Sequence, residues 1–386
     1  MLTLRASRLL TSTEELLNPV FTVSGDGVLT SFTTVADGDD TTIVTSAFLD
    51  IHTHGAVGED VMSATPAGFA KLQRFYAKHG VGWYCPTTVT APLDTLLQAL
   101  DRLATEVERG PQPVQAQPLG VHLEGPFLSP AKRGVHPAQF LLTPDILTFD
   151  RLFDAARGHI VLLTLAPELP GAFELIRHAV SRGVRVSLGH SNATAAETLA
   201  ALDAGASSAT HTFNAMRALD HREPGILGTT LDDARLYAEL IADAIHVAPA
   251  LIRLWHRAKA PQSGPQRAIL VTDSMAATGC PEGCYTLGGL PVTVAEGRAL
   301  LTGDLAQGKY TLAGSILTED VAVAKLLDHT GCSFVAAVRA ASHTPASLLG
   351  MPELTLPTLG HPLSLNRFDE ENRLVATYLR GQEIPR

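Results

Sequence analysis

Cysteine is scarce in this chain. The 386 residues include only Cys85, Cys280, Cys284 and Cys332, too few and too scattered for a disulfide framework. Cys280 and Cys284 flank Pro281-Glu282-Gly283; that spacing is not C-x-x-C and no second pair follows, so they read as ordinary loop thiols. Positive charge is also in deficit, with 29 Lys and Arg against 39 Asp and Glu and a formal net charge of −10. A nucleic-acid or anionic-membrane surface would need a broad basic face, which this balance excludes. No apolar run approaches the roughly 18 residues of a membrane span. The start of the chain carries Arg5 and Arg8 without a continuous apolar stretch, and Glu14-Glu15 follow, a pattern that fits neither a secretory signal nor a transit peptide. These absences predict a soluble, cytoplasmic protein.

What is present describes a compact chain, 45% hydrophobic and 18% charged, a balance opposite to that of disordered segments. The first 46 residues alternate polar and apolar in short runs, with Ser24-Gly25-Asp26-Gly27 as a tight turn between 20–23 and 28–32. From Ile43 the pattern changes to buried strands followed by helical stretches, as a βα-repeat requires. Strands are expected at 43–50, 81–90, 119–124, 160–166, 184–190, 208–212, 237–246 and 268–273. Helices are expected at 67–79, 93–108, 172–181, 195–204, 249–257, 315–328 and 334–349. Eight strands close a barrel, so the expected fold is α/β, a (β/α)8 TIM barrel over 47–349. A small β-sandwich domain from both chain ends, 1–46 and 350–386, completes it, the strand-like run 373–379 pairing with the N-terminal sheet.

The candidate chemistry lies where those strands end. His52-Thr53-His54 follows the first strand, and residues two apart on a strand point to the same side, so both imidazoles can face one ion. Glu124, before Gly125-Pro126, ends the third strand, and His190 and His211 end the fifth and sixth. A buried carboxylate in that place is costly without a metal or cation. Three protein ligands with an open position is the arrangement of a catalytic zinc. Asp273 closes the eighth strand, where it can take a proton from water and return it to a leaving nitrogen.

Seven motifs in order sharpen this reading: His122-Leu123-Glu124-Gly125-Pro126-Phe127, Lys132-Arg133-Gly134-Val135-His136, Gly189-His190-Ser191-Asn192-Ala193-Thr194, His211-Thr212-Phe213-Asn214-Ala215-Met216, Arg222-Glu223-Pro224-Gly225, Ala242-Asp243-Ala244-Ile245-His246 and Val271-Thr272-Asp273. Over nearly its full length the chain resembles the amidohydrolase superfamily and, within it, is similar to the N-acetylglucosamine-6-phosphate deacetylase family. The resemblance implies that Glu124, His190 and His211 hold the main metal, zinc or iron, and that Asp273 is catalytic. It implies that His52 and His54 serve a second ion in members that have one, with Glu124 as a bridge.

It further implies that Asn214, Ala215, Arg222 and His246 bind substrate, chiefly its phosphate, that His136 contacts the sugar or its acetyl carbonyl, and that a histidine, His136 or His246, helps hold the oxyanion. The loop bearing His136 would serve as a lid. A homodimer is implied, in which Arg222 and His246 reach a neighbour's phosphate. The implied reaction releases acetate and glucosamine 6-phosphate, in amino-sugar catabolism or cell-wall recycling. Alternatives on the same donor set are an N-acetylgalactosamine-6-phosphate or N-acyl-amino-acid deacetylase and, in another class, a non-catalytic sugar-phosphate sensor. The fourth strand, 160–166, has no lysine that could be carboxylated to bridge two metals, which disfavours dihydroorotase-like and hydantoinase-like readings. The segment 352–366 lacks the Gly-rich turn and Ala-Asp pair expected where such chains re-enter the small domain.

Overall fold

The computed structural model of the chain describes residues 2–11, 14–38, 40–261 and 263–385. Eight parallel strands form the barrel: β1 (Phe48–Thr53), β2 (Val81–Pro86), β3 (Val121–Glu124), β4 (Ile160–Leu165), β5 (Arg185–Leu188), β6 (Ser208–Ala209), β7 (Tyr237–Leu240) and β8 (Ala268–Leu270). β1 pairs with β2, and β3 to β8 pair in chain order as one six-stranded sheet. Two single bridges close the ring, Thr87 to His122 between β2 and β3, and Thr53 to Ser274 between β8 and β1.

Helices pack outside with one apolar stripe inward. Leu93–Glu108 buries Leu96, Ala99, Leu100 and Leu103, the i, i+3, i+4, i+7 spacing of a core-facing helix. Starts are marked by local chemistry: Thr65 caps Pro66–Lys78, and Thr194 with Glu197 forms a capping box on Ala195–Ala204.

The expected 43–50 strand is two elements. Ile43–Ser46 belongs to the small sheet, where it pairs with Leu365–Phe368 and Arg8–Leu10, and the barrel begins only at Phe48. The C-terminal chain thus re-enters the small sheet without the expected Gly-rich turn. Leu374–Leu379 lies beside Leu365–Phe368 in that sheet, and Pro19–Val23 joins Leu2–Arg5 and Leu29–Thr34 in a second one. Leu4, Phe21, Val23, Leu29, Val44 and Leu365 form their common core. Asn366 donates to the Gly80 carbonyl at 2.9 Å and so pins this unit to the barrel.

Several barrel strands stop short of their expected ends. β5, β6 and β8 end at Leu188, Ala209 and Leu270, and the chain turns out of the extended state two or three residues on, where His190, His211 and Asp273 carry positive φ of 47°, 29° and 49°. The 81–90 and 237–246 strands end at Pro86 and Leu240, and 119–124 begins at Val121, Gln117–Pro118 pairing separately with β2. The expected 334–349 helix breaks at Ser342 into Phe334–Ala341 and His343–Leu349, and the 315–328 helix begins at Glu319.

Helices Ile146–Ala155 and Gly225–Asp232 were not anticipated, nor was the antiparallel sheet Gly283–Leu287, Leu290–Ala295 and Arg298–Leu301. The tip of that hairpin docks on the barrel rim. Gly288, at φ 56°, donates its N–H to Asp60 at 2.7 Å, and a Cβ there would stand 2.8 Å from that of Val89. Among the described residues no helix is long and apolar enough to cross a membrane.

Candidate active site and metal centre

At the C-terminal rim a cavity of about 340 Å³ is lined by His54, Glu124, His136, His190, His211, Asn214, Ala215, His246 and Asp273. Glu124 is its centre. Its Oε1 lies 3.2 Å from His211 Nε2, 3.3 Å from His190 Nε2 and 3.5 Å from His52 Nε2; its Oε2 lies 3.5 Å from His54 Nε2 and 3.6 Å from His136 Nε2. Asp273 Oδ1 is 3.1 Å from His54 Nε2 and 3.6 Å from His52 Nε2. Two groups can hold a metal ion, His52–His54–Glu124 and Glu124–His190–His211, with Glu124 common to both.

Hydrogen bonds on the far side of each ring assign the tautomers. His52 Nδ1 donates to Glu239 Oε2 at 3.1 Å, His54 Nδ1 to the Thr87 carbonyl at 3.0 Å and His190 Nδ1 to the Lys132 carbonyl at 3.0 Å. Each therefore presents Nε2 to the carboxylates of the site, the nitrogen a metal would take once it is free of a proton. His136 is the opposite. Its Nδ1 accepts from the Thr90 backbone N–H at 3.2 Å, so its Nε2 carries the proton and is a donor into the cavity.

The donor set fits a cation. His52 Nε2 and Glu124 Oε1 are buried and have no hydrogen-bond partner among the described residues, and the Nε2 atoms of His190 and His211 face one another at 3.0 Å. Charge agrees. Burial would lower the His52 pKa, but the neighbouring Glu124 and Asp273 carboxylates lift it well above the usual imidazole range. Burial would raise Glu124, yet the His52 charge and the His136, His190 and His211 rings around it hold it well below the usual carboxylate range. Asp273 is held low in the same way, by His52 charge and the His54 hydrogen bond against its own burial. His190, desolvated by burial and beside His136, falls to about 4 and is neutral near pH 7.

The loop between β3 and Ile146–Ala155 reaches His190 through Gly134, where a Cβ would stand 3.1 Å from the ring. The Ser129 N–H also donates to the His190 carbonyl at 3.0 Å. Beyond β7, His246 Nδ1 donates to Asp243 Oδ2 at 2.7 Å, and Asp243 Oδ1 accepts from the backbone N–H groups of Ile245 and His246. Arg222 does not line the cavity; its side chain stands exposed near Asp220, whose carboxylate accepts the Arg222 backbone N–H. Lys132 does line it.

Sequence reasoning missed Asp243, which orients His246, and Glu239, fully buried in β7. An isolated carboxylate inside the apolar run Tyr237-Ala238-Glu239-Leu240 was the available signal. It also missed the polar ladder under the site, in which His122 Nε2 meets Thr164 Oγ1 at 2.7 Å and Thr164, Thr210 and Ser187 hydroxyls follow at 2.7 Å each.

A parallel barrel with histidines and carboxylates gathered on its C-terminal rim defines a metal-dependent hydrolase class. The chain belongs to the amidohydrolase family, whose model matches residues 43–355. It is 40% identical over 351 residues to an N-acetylgalactosamine-6-phosphate deacetylase of Escherichia coli O157:H7, covering 90% of this chain and 89% of that one. It is 38% identical over 355 residues to an N-acetylglucosamine-6-phosphate deacetylase of Mus musculus, covering 89% and 83%. Among solved structures, an aspartate-to-alanine variant of N-acetyl-D-glucosamine-6-phosphate deacetylase from Mycobacterium smegmatis, in complex with N-acetyl-D-glucosamine-6-phosphate, superposes with a TM-score of 0.90. Identity there is 33%, over 100% of this chain and 99% of that one.

Proposed function

We propose that this protein hydrolyses the N-acetyl group of N-acetylglucosamine 6-phosphate to acetate and glucosamine 6-phosphate, as a cytoplasmic enzyme of amino-sugar metabolism. The observation that carries the reading is the division of labour among the rim histidines. His52, His54 and His190 commit their Nδ1 protons to acceptors outside the cavity and present Nε2 to Glu124, while His136 turns an Nε2 proton into the same cavity.

Glu124, His190 and His211 would hold the primary ion, zinc or iron, and His52 and His54, sharing Glu124, a second one. When bound, the ion supplies a Lewis acid for the amide oxygen and acidifies water. The protein groups do the rest. His136 donates from Nε2 to the acetyl oxygen as negative charge builds there. Asp273, kept ionised by His52 and His54, accepts a proton from the attacking water and delivers it to the departing amine. His246, oriented by Asp243, together with Asn214 and Ala215, binds the sugar phosphate. Arg222, exposed beside this face, is assigned to the phosphate of a neighbouring subunit in a homodimer, its planar fork matching phosphate oxygens.

A second reading, N-acetylgalactosamine 6-phosphate as the preferred substrate, is favoured by the 40% identical relative that bears that name. The test is acetate release from both sugar phosphates and from unphosphorylated N-acetylglucosamine, using protein stripped of metal and then restored with zinc or iron. Metal-dependent release with a strong preference for N-acetylglucosamine 6-phosphate is expected. Preference for the galacto epimer would move the assignment to the second reading, and no release with any metal would sink both.

A further inference from the structure

Glu239 is a fully buried carboxylate outside the lining of the rim cavity, yet it contacts residues of both candidate metal groups. Its Oε2 accepts from His52 Nδ1 at 3.1 Å and from the His211 backbone N–H at 3.1 Å, and its own carbonyl accepts from the Thr212 N–H at 2.8 Å. Its Oε1 has no hydrogen-bond partner among the described residues. We propose that Glu239 is a positioning residue that fixes the tautomer of His52 and the left-handed backbone of His211, and so sets whether the His52–His54–Glu124 group accepts an ion. This rests on the metal-hydrolase reading above.

The argument is one of donors and acceptors. A carboxylate can only accept, so His52 must carry its proton on Nδ1 and leave Nε2 bare toward Glu124. One oxygen, Oε2, serves both donors, so a glutamine can put its amide oxygen there and keep both. Leucine, of similar size, offers neither donor an acceptor and frees His52 to carry its proton on Nε2, where it blocks the ion. The same carboxylate oxygen steadies the His211 N–H at a residue with φ 29°, a backbone state that persists only where its surroundings impose it.

The test is Glu239→Leu on the full chain, loaded with zinc and titrated against a competing chelator. Wild type should take up two ions, and E239L should keep the tighter one while binding the weaker one about 10–100-fold less tightly, the usual effect of losing an outer carboxylate partner. Wild-type affinity for both ions in folded E239L would overturn the proposal, and so would a wild type that takes up only one. Wild type that binds no zinc would instead defeat the metal-hydrolase reading. Should E239L fail to fold, nitrogen-15 NMR of histidine-labelled, zinc-loaded wild type decides. A downfield Nδ1–H signal that disappears in His52→Asn supports the assignment, and a His52 ring protonated on Nε2 refutes it.

Discussion

Glu319, the first residue of helix Glu319–Thr330, is wholly buried and neither of its carboxylate oxygens has a hydrogen-bond partner among the described residues. Burial pushes its pKa well above the usual range, and the charges of Asp50 and Asp320 push the same way. The helix N-terminus favours an anion by only about 0.3–1 kcal/mol, too little against several kcal/mol for burying an unpaired charge. Folded protein therefore holds a proton on Glu319 at pH values where the unfolded chain has lost it. Stability from this group is full below about pH 4.3, the unfolded value, and declines as pH rises toward the folded pKa. The slope is at most about 1.4 kcal/mol per pH unit for one proton, which bounds the change between pH 5 and pH 7 at about 2.7 kcal/mol. Glu319→Gln removes that proton.

Urea unfolding of both proteins at pH 5, 6, 7 and 8 should give a stability difference that shifts steadily in favour of E319Q as pH rises, by up to that amount from pH 5 to pH 7. A difference that stays flat across the range would refute the reasoning.

Other outcomes follow from the rim. Asp273→Asn should lower kcat by about 10²–10⁴-fold while leaving metal content unchanged, read by acetate release beside elemental analysis; a variant above a tenth of wild-type turnover contradicts the proton-transfer role. His136→Ala should cost about 10²–10³-fold in kcat through loss of the Nε2 donor, whereas an effect confined to KM would make His136 a binding group only. Metal retention after dialysis should fall as pH drops from 8 to 5, because His52 must release a proton whose pKa is raised by Glu124 and Asp273 before it can ligate; pH-independent retention would exclude His52 as a ligand.

The barrel was legible because its strands are apolar runs, and the rim donors were legible because each run ends in an ionisable residue. Where the strands stop was not, since the positive φ at His190, His211 and Asp273 has no local signature at residues other than glycine. Periodicity likewise could not tell Ile43–Ser46 from Phe48–Thr53: both are buried and extended, and only pairing with Leu365–Phe368 or with β2 separates them. Glu124 could be singled out because a Gly-Pro turn marks its exit from the strand. Glu239 sits in mid-run, where its role depends on His52, 187 residues away in the chain. Arg222 was read from its motif alone, and within one subunit its side chain lies on the surface outside the cavity.

The two donor groups stand on separate pieces of sheet. His52 and His54 are carried by the β1–β2 piece, while Glu124, His190 and His211 belong to the β3–β8 piece. Besides the two bridges, backbone hydrogen bonds join the pieces, among them Asp273 N–H to the His52 carbonyl at 2.9 Å and Thr88 N–H to the His122 carbonyl at 3.0 Å, and the Thr53 and Ser274 hydroxyls lie 2.7 Å apart. An ion shared by His52, His54 and Glu124 would be a rivet across the opening of the barrel as well as a reagent. Loading it would add one more tie between the two pieces, so the resistance of this fold to heat would rise with metal supply.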